Sequence, residues 1–546
     1  MGATTGSVHA DRSRRPYFSW RSTPGATRYE LEVDDSCQTP SFRTCVFDSP
    51  ELREVSVGET YFVPGAGLPV SMSAPVGRRY FWRVRGCNAH GCGEWSDVWY
   101  VDVGRLNDDV NGDGYGDLLI GIDARTETAT RIGAAYIAFG RSGPGSITIT
   151  KLPDPANRVD GRFGRKVAIV GDVNADGYQD VVVGAWNENN ARPGAAYLYL
   201  GRGTWPGTVA ASDTEFALVA NDPATSFGGS VTGRGDMNGD GYADIAIGSL
   251  PADDGQPTVS GYVHVNFGRA SYSFSQLGSD LVVQDPAGDV MGLFGMGTAF
   301  GDLDEDGLTD LVIGAPASEE FSGVAHLYLG RATYPATPYI FGASDVMLAS
   351  PASGVAFFGT AAVVCGSSPE EPVLAIGAPA ESRPAANAGV TRLYRAPAPG
   401  SSVVTESART LTDPSGALSA GMGSAIKCGD VTGDGKDDLV VGAPTGDDAG
   451  TVYVYGDVAN LPTTPLAVLS SGSSLGTLGT SVAVTDFDGD GVADIFAGAP
   501  NLGTAASGAI LGWMGRSVWP GALSSADITI DNPSGMADER FGRSLD

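Results

Sequence analysis

One nine-residue pattern recurs along this chain and limits what it can become. It reads Asp at position 1, an oxygen-bearing residue at 3, Asp at 5, Gly at 6 and Asp at 9. The copies are Asp109, Asn111, Asp113 and Asp117; Asp172, Asn174, Asp176 and Asp180; Asp236, Asn238, Asp240 and Asp244; Asp302, Asp304, Asp306 and Asp310; Asp430, Thr432, Asp434 and Asp438; and Asp486, Asp488, Asp490 and Asp494. Four side-chain oxygens around a turn that glycine permits make a cage for a hard cation, and Ca²⁺ is the cation expected. The backbone carbonyl at position 7 is the expected further ligand: Tyr115, Tyr178, Tyr242, Leu308, Lys436 and Val492. An EF-hand would need a bidentate Glu at position 12. Here position 12 is Ile120, Val183, Ile247, Ile313, Val441 and Ala497, each inside a strand-like run. The reading is therefore about six hairpin calcium sites with a structural role. Without the ion, the clustered carboxylates repel and the hairpins fray. The Asp302 and Asp486 loops, with four carboxylates each, are expected to bind more tightly than the Asp430 loop.

Spacing turns these copies into an array. First positions step by 63, 64, 66, 128 and 56 residues, so one member is missing near residue 365. A relic stands there: Phe358-Gly359, Cys365-Gly-Ser-Ser-Pro, then Ile376-Gly377-Ala378-Pro379, with strands kept and carboxylates lost. Seven units result, each with one grammar. Phe163-Gly164, Phe227-Gly228, Phe294-Gly295, Phe358-Gly359, Met422-Gly423 or Leu478-Gly479 opens a unit, and the Asp loop follows in six of the seven. An apolar strand then ends in Gly-Ala-Pro, as at Gly314 to Pro316 and Gly442 to Pro444, and a third strand begins with Gly, as at Gly323 and Gly450. A less regular outer strand makes four. Four short antiparallel strands repeated radially describe a propeller blade.

The linked motifs resemble FG-GAP repeats, the units at the head of integrin α subunits and of many bacterial surface proteins, over residues 105–546. The resemblance implies a seven-bladed β-propeller with Ca²⁺ in the hairpin loops of its lower face, in the bacterial style of the repeat. The first unit lacks a Phe-Gly strand of its own, whereas the chain ends Arg540-Phe541-Gly542-Arg543. Phe541 lies 55 residues after Asp486, in phase with the other repeats, so the C-terminal strand is expected to close the first blade; truncation of a longer array is the rival.

Residues 14–104 are different. Tyr29-Glu-Leu31-Glu-Val33 alternates like a half-buried strand, and several short strands separated by turns fit a β-sandwich. The run Tyr80-x-Trp82-Arg83-Val84-x-Gly-x-Asn88-x-x-Gly91, with Trp20, resembles a fibronectin type III domain. Residues 1–13 are left as an N-terminal extension. Val103-Gly-Arg-Leu-Asn107 runs straight into the first Asp loop, which places the two regions against each other. Cys37 and Cys45, and Cys87 and Cys92, have spacings suited to local disulfides, while Cys365 and Cys428 hold matching places in successive repeats; connectivity stays open. An even cysteine count without CxxC favours an oxidising, extracellular or cell-surface setting.

The net charge is −30, and twenty of the carboxylates are loop ligands, so six Ca²⁺ would leave about −18. Such a chain is a poor nucleic-acid binder, because phosphate demands Lys and Arg. No apolar run approaches the ~20 residues of a membrane span. HExxH, GxSxG and P-loop patterns are missing, and no catalytic residues are nominated. Arg234-Gly235-Asp236 spells an adhesive tripeptide, but Asp236 is already a loop ligand. His264 and His326, at matching places, are expected to pack. The variable loops after Gly-Ala-Pro, including Trp186 to Arg192, Pro251 to Gly255, Ser318 to Phe321, Ser382 to Asn387 and Thr445 to Asp448, are the expected partner surface. The whole reads as an all-β, calcium-stabilised extracellular adhesion or interaction protein without catalysis, its partner a protein or glycan. Alternatives are a lectin-like propeller and the non-catalytic part of a larger secreted enzyme.

Overall fold

The computed structural model describes residues 3–546 except 10, 39–40, 57, 123–132, 158–160, 187–193, 215, 220–224, 252–258, 273–278, 336–337, 342, 353, 367–370, 384, 397–402, 446–448, 474–475, 504–505 and 537–538. Regular structure is almost wholly β. Helix is confined among the described residues to short turns such as Asp11–Arg14, Ser318–Phe321 and Val458–Asn460. No helix among the described residues is long and apolar enough to cross a membrane.

Among the described residues, seven sheets follow residue 105. Each is built around the apolar run after an Asp loop or its relic: Leu118–Ile122, Asp180–Ala185, Asp244–Pro251, Asp310–Ala315, Val373–Ala378, Asp438–Ala443 and Asp494–Ala499. All seven are buried along their whole length, which is why they read as unbroken Val/Leu/Ile rather than alternating. Apolar cores lie between neighbouring sheets. Leu119 and Ile137 of sheet one meet Val181 and Tyr197 of sheet two, and Phe496 and Ile510 of sheet seven meet Leu118 and Ile120 of sheet one. The first strands of successive sheets also touch in order, from sheet one through sheet seven and back to sheet one. No sheet closes on itself among the described residues.

The Gly of each Gly-Ala-Pro or its equivalent marks the closest approach between neighbours. A Cβ on Gly314 would stand 1.9 Å from the carbonyl oxygen of Gly359, and one on Gly498 would stand 1.9 Å from that of Gly542. Backbone fills the space a side chain would need. The last contact involves the C-terminal segment. Strand Ser544–Leu545 pairs antiparallel with Leu118–Ile122, Ser544 opposite Gly121 and Leu545 opposite Ile120. Fully buried Phe541 meets Tyr136 of sheet one edge-on, centroids 6.0 Å apart.

Three sheets carry a strand beyond the expected four. Tyr339–Phe341 adds in parallel to Leu281–Gln284 of sheet three, Val403–Val404 to Val346–Ala349 of sheet four, and Gly521–Leu523 to Ala467–Ser470 of sheet six. All three added strands come from the connection inside the next sheet, so those neighbours are laced at their outer edges.

Before residue 105, one sheet joins Ala3–Thr4, Trp99–Val103, Arg78–Asn88, Arg28–Asp34 and Leu52–Ser56, and a second pairs Phe18–Ser19 with Tyr61–Phe62. Their shared core is Phe18, Tyr29, Leu31, Val33, Tyr80, Val101 and Val103, with Trp20 and Trp82 packed against it. Residues 1–13, expected as an extension, supply strand Ala3–Thr4, parallel to Trp99–Val103. Disulfides join Cys37 to Cys45, Cys87 to Cys92 and Cys365 to Cys428.

Candidate metal centres

The loops share one hydrogen-bond pattern. In loop one, Asp109 Oδ1 accepts from Asp113 N at 3.0 Å and Asp109 Oδ2 from Gly114 N at 2.7 Å. Asp113 Oδ1 accepts from Tyr115 N at 3.0 Å, and Asn111 Oδ1 from Asp113 N at 3.0 Å. The ninth residue, Asp117, closes the turn: Oδ2 accepts from Val110 N and Oδ1 from Gly140 N, both at 2.9 Å. Loops two and three repeat this atom for atom around Asp172, Asn174, Asp176 and Asp180, and Asp236, Asn238, Asp240 and Asp244. In loop four Asp302, Asp304, Asp306 and Asp310 hold the same places. In loop seven, Asp486, Asp488, Asp490 and Asp494 do so with one bond fewer: Asp486 Oδ1 is buried without a hydrogen-bond partner. Loop six differs, since Asp438 Oδ2 accepts from the third residue, Thr432, at 2.9 Å, and the buried Thr432 hydroxyl has no partner. Every sixth-position glycine has φ between +88° and +98°, the left-handed turn that orients two successive N–H groups toward the first carboxylate. The position-12 residues are all buried in strands.

Neighbouring loops are tied together. In five of the six loops the eighth N–H donates to the first carbonyl of the loop before it: Gln179 to Asp109 at 3.2 Å, Ala243 to Asp172 at 3.1 Å, Thr309 to Asp236 at 3.1 Å, Ala493 to Asp430 at 2.9 Å, and Gly116 to Asp486 at 2.8 Å. Sequence reading missed a second motif in this scaffold. Gly-Arg ends the third strand at Gly140, Gly201, Gly268, Gly330 and Gly515, its Gly N–H held by the ninth Asp. The Arg N–H reaches the second carbonyl of the preceding loop, as Arg202 does to Val110 at 3.0 Å and Arg516 to Val431 at 3.0 Å. Where Trp follows three residues later, its indole donates to that same carbonyl: Trp205 at 3.3 Å and Trp519 at 3.2 Å. The signal was available as a Gly-Arg-x-x-aromatic repeat.

Electrostatics favour a cation at these loops. Burial, with neighbouring carboxylates adding to it, pushes Asp109, Asp302, Asp310 and Asp486 up to about 7 and Asp494 to about 8. Asp117, Asp180 and Asp244, wholly enclosed beside the first carboxylate of their own loops, are raised further. In the two loops with four carboxylates, Asp302, Asp304 and Asp306, and Asp486, Asp488 and Asp494, acidic oxygens converge within 4.8 Å of one another. All-oxygen donors, a turn that needs no helix and unpartnered buried oxygens at Asp486 and Thr432 fit Ca²⁺.

Other candidates behave as structure. Arg234 donates Nε to Ile169 O at 2.9 Å and pairs with Asp546 at 3.1 Å, while Asp236 is buried, so the Arg-Gly-Asp run is turned inward. His264 and His326 bond Ser279 and Ser344, and burial lowers both to about 4. Of the expected partner loops, Asn187 to Arg192, residues 252–255 and residues 446–448 lie outside the described residues. Trp186 stands with Arg165 4.0 Å from its ring centre, and Phe321 is exposed.

Sheets of one plan, joined through acidic loops, define an all-β repeat protein. The FG-GAP repeat profile matches residues 163–199, 227–266, 294–328, 423–455 and 478–511. The chain is 31% identical to mouse (Mus musculus) integrin alpha-IIb over 151 residues, which is 26% of this chain and 14% of that protein. It is 31% identical to chicken (Gallus gallus) integrin alpha-V over 159 residues, 28% and 15%. Against Drosophila melanogaster integrin alpha-PS2 it is 30% identical over 233 residues, 40% and 16%. These matches span only about a seventh of each relative's length. A Bacillus licheniformis rhamnogalacturonan lyase overlaps 88% of this chain and 70% of its own, at 12% identity and a TM-score of 0.32.

Proposed function

We propose that this chain is a calcium-stabilised, extracellular or cell-surface adhesion or protein-interaction protein that works without catalysis. The seven sheets are read as the blades of a β-propeller over residues 105–546, closed by the C-terminal strand, and residues 14–104 as a fibronectin type III-like module. The observation carrying this reading is the recurrence, in six loops, of one bond from the sixth-position Gly N–H to the first carboxylate, with acidic oxygens converging in the Asp302 and Asp486 loops. Each loop holds one Ca²⁺ through the side chains at positions 1, 3, 5 and 9 and the carbonyl at position 7. The bound ion neutralises repelling carboxylates and fixes the hairpin; it takes no part in chemistry. A protein or glycan partner binds the loops that follow Gly-Ala-Pro, where Trp186 and Phe321 offer rings.

Equilibrium dialysis followed by metal analysis should find about six Ca²⁺ per chain, in line with six four-oxygen loops. Chelation should lower the melting temperature by many degrees. A melt indifferent to chelator would falsify the calcium reading. Glycan arrays and protein pull-downs, each with and without Ca²⁺, then separate a lectin from a protein-binding surface.

A further inference from the structure

The face that presents the Asp loops is not open to solvent along its length: the first hundred residues lie on it. Arg43, on the single turn Ser41–Thr44, reaches loop three, its Nε 2.9 Å from Gly239 O and its Nη2 3.2 Å from Asn238 O. Arg79 donates to Gly241 O of the same loop. Tyr100 Oη donates to Asp236 Oδ2 at 3.0 Å and so touches the first-position carboxylate itself. Val76 N bonds Gly112 O of loop one at 3.0 Å. At loop four, Arg21 Nη2 bonds Asp304 O at 2.7 Å, and the Trp99 ring lies so close to Gly307 that a Cβ there would meet it at 2.6 Å.

Nearly all the acceptors are backbone carbonyls from positions 3 to 6. The loop turns its N–H groups inward to its own carboxylates, as Asp240 N and Gly241 N do to Asp236. The carbonyls nearby are thereby left for an outside donor. Whatever holds the carboxylates in place therefore also presents the carbonyls that the N-terminal module grips. Loop six is arranged otherwise: Gly433 faces Val492 of loop seven, and Lys436 pairs with Asp457.

We infer that cation occupancy of loops one, three and four and docking of the first hundred residues form one linked equilibrium. This rests on the calcium reading above. Calcium fixes the carbonyls and holds the module on the loop face; its withdrawal lets carboxylate repulsion turn those carbonyls away, and the module lifts on the Arg105-Leu-Asn107 connection. By reciprocity, a docked module tightens calcium at the loops it touches by the same factor that calcium tightens docking.

The test uses the full chain. Hydrogen exchange is followed in peptides carrying Arg43 and Tyr100, in calcium and in chelator, and calcium binding is measured by equilibrium dialysis. Chelation should speed exchange in those peptides about tenfold or more, a coupling of ordinary size, while strand Asp438–Ala443 stays protected. The double variant Arg43→Ala, Tyr100→Phe removes an exposed side chain and one hydroxyl, changes that spare both cores. In calcium it should weaken a subset of the sites by a similar factor and leave the others alone. Arg395→Ala, which removes a partly exposed side chain paired with Glu371 in sheet five, should leave exchange in the module unchanged. If chelation unfolds the entire chain, the variant arm, run in calcium, decides alone. Wild-type calcium binding with module exchange identical in calcium and chelator, or a double variant that binds calcium as the wild type does, overturns the linkage. A wild-type chain that binds no calcium defeats the calcium reading as well, and dialysis shows this first.

Discussion

Thr432 occupies the third place of loop six, where the other five loops have Asn or Asp, and its hydroxyl is buried without a partner. A carboxylate there would add a charged ligand to a loop that has three. Thr432→Asp should tighten calcium at this one site on the order of tenfold, as ligand charge count tunes such loops. Calorimetric titration checks it, and an unchanged isotherm would remove loop six from the metal sites. A second expectation concerns protons in the absence of metal. Asp302, Asp310 and Asp486 titrate near 7 in the folded chain because burial and neighbouring carboxylates raise them, against about 4 when unfolded. A raised folded value means their stabilising contribution is complete below about pH 4 and is lost as pH climbs through 7. Melting temperature in chelator should therefore fall between pH 5 and pH 8. Saturating calcium, which takes the place of the protons, should abolish that fall. Scanning calorimetry at several pH values decides it, and a flat profile in chelator would count against the buried carboxylate cluster. At this scale the loop geometry was legible, because each loop carboxylate stands at a fixed offset from a glycine that the turn requires. Tyr100 was not legible as a neighbour of Asp236: a hydroxyl 136 residues away leaves no spacing to read.

Among the elements, the fifth sheet stands apart. Its loop has lost the carboxylates, so the chain of loop-to-loop bonds running from Asp430 through Asp486, Asp109, Asp172 and Asp236 to loop four stops there. Two other ties span the gap to sheet six: the Cys365–Cys428 disulfide, and Asp437, whose Oδ2 accepts from Gly366 N at 2.8 Å. The covalent link stands where the other sheets have an acidic loop. With 63 residues between its ends, its removal in a Cys365→Ser, Cys428→Ser double variant should cost about 2–5 kcal/mol. Urea unfolding in saturating calcium measures that loss, and an unmoved midpoint would show the bridge to be dispensable. The four-strand grammar was readable because inner strands are apolar throughout and begin at fixed distances from the loops. The added strands Tyr339–Phe341, Val403–Val404 and Gly521–Leu523 were not. They are two or three residues long, their side chains range from exposed to buried, and parallel pairing at an outer edge imposes no apolar period.

For the molecule as a whole, regular spacing predicted how many sheets there are and which residues begin them. It could not show how the N-terminal module lies, since its grip on the loops goes through carbonyls that any residue supplies. One pairing also bears on how such a chain is made. Strand Leu118–Ile122 meets Ser544–Leu545, so the two partners leave the ribosome more than 400 residues apart. At ordinary elongation rates the interval is on the order of tens of seconds. Through that time an apolar edge, Leu118-Leu-Ile-Gly-Ile122, waits without its first-strand partner, an invitation to a neighbouring nascent chain. Synthesis on crowded polysomes therefore exposes this protein to pairing errors between copies, and any factor that shields that early strand until Ser544 and Leu545 emerge should raise the yield of correctly joined chains.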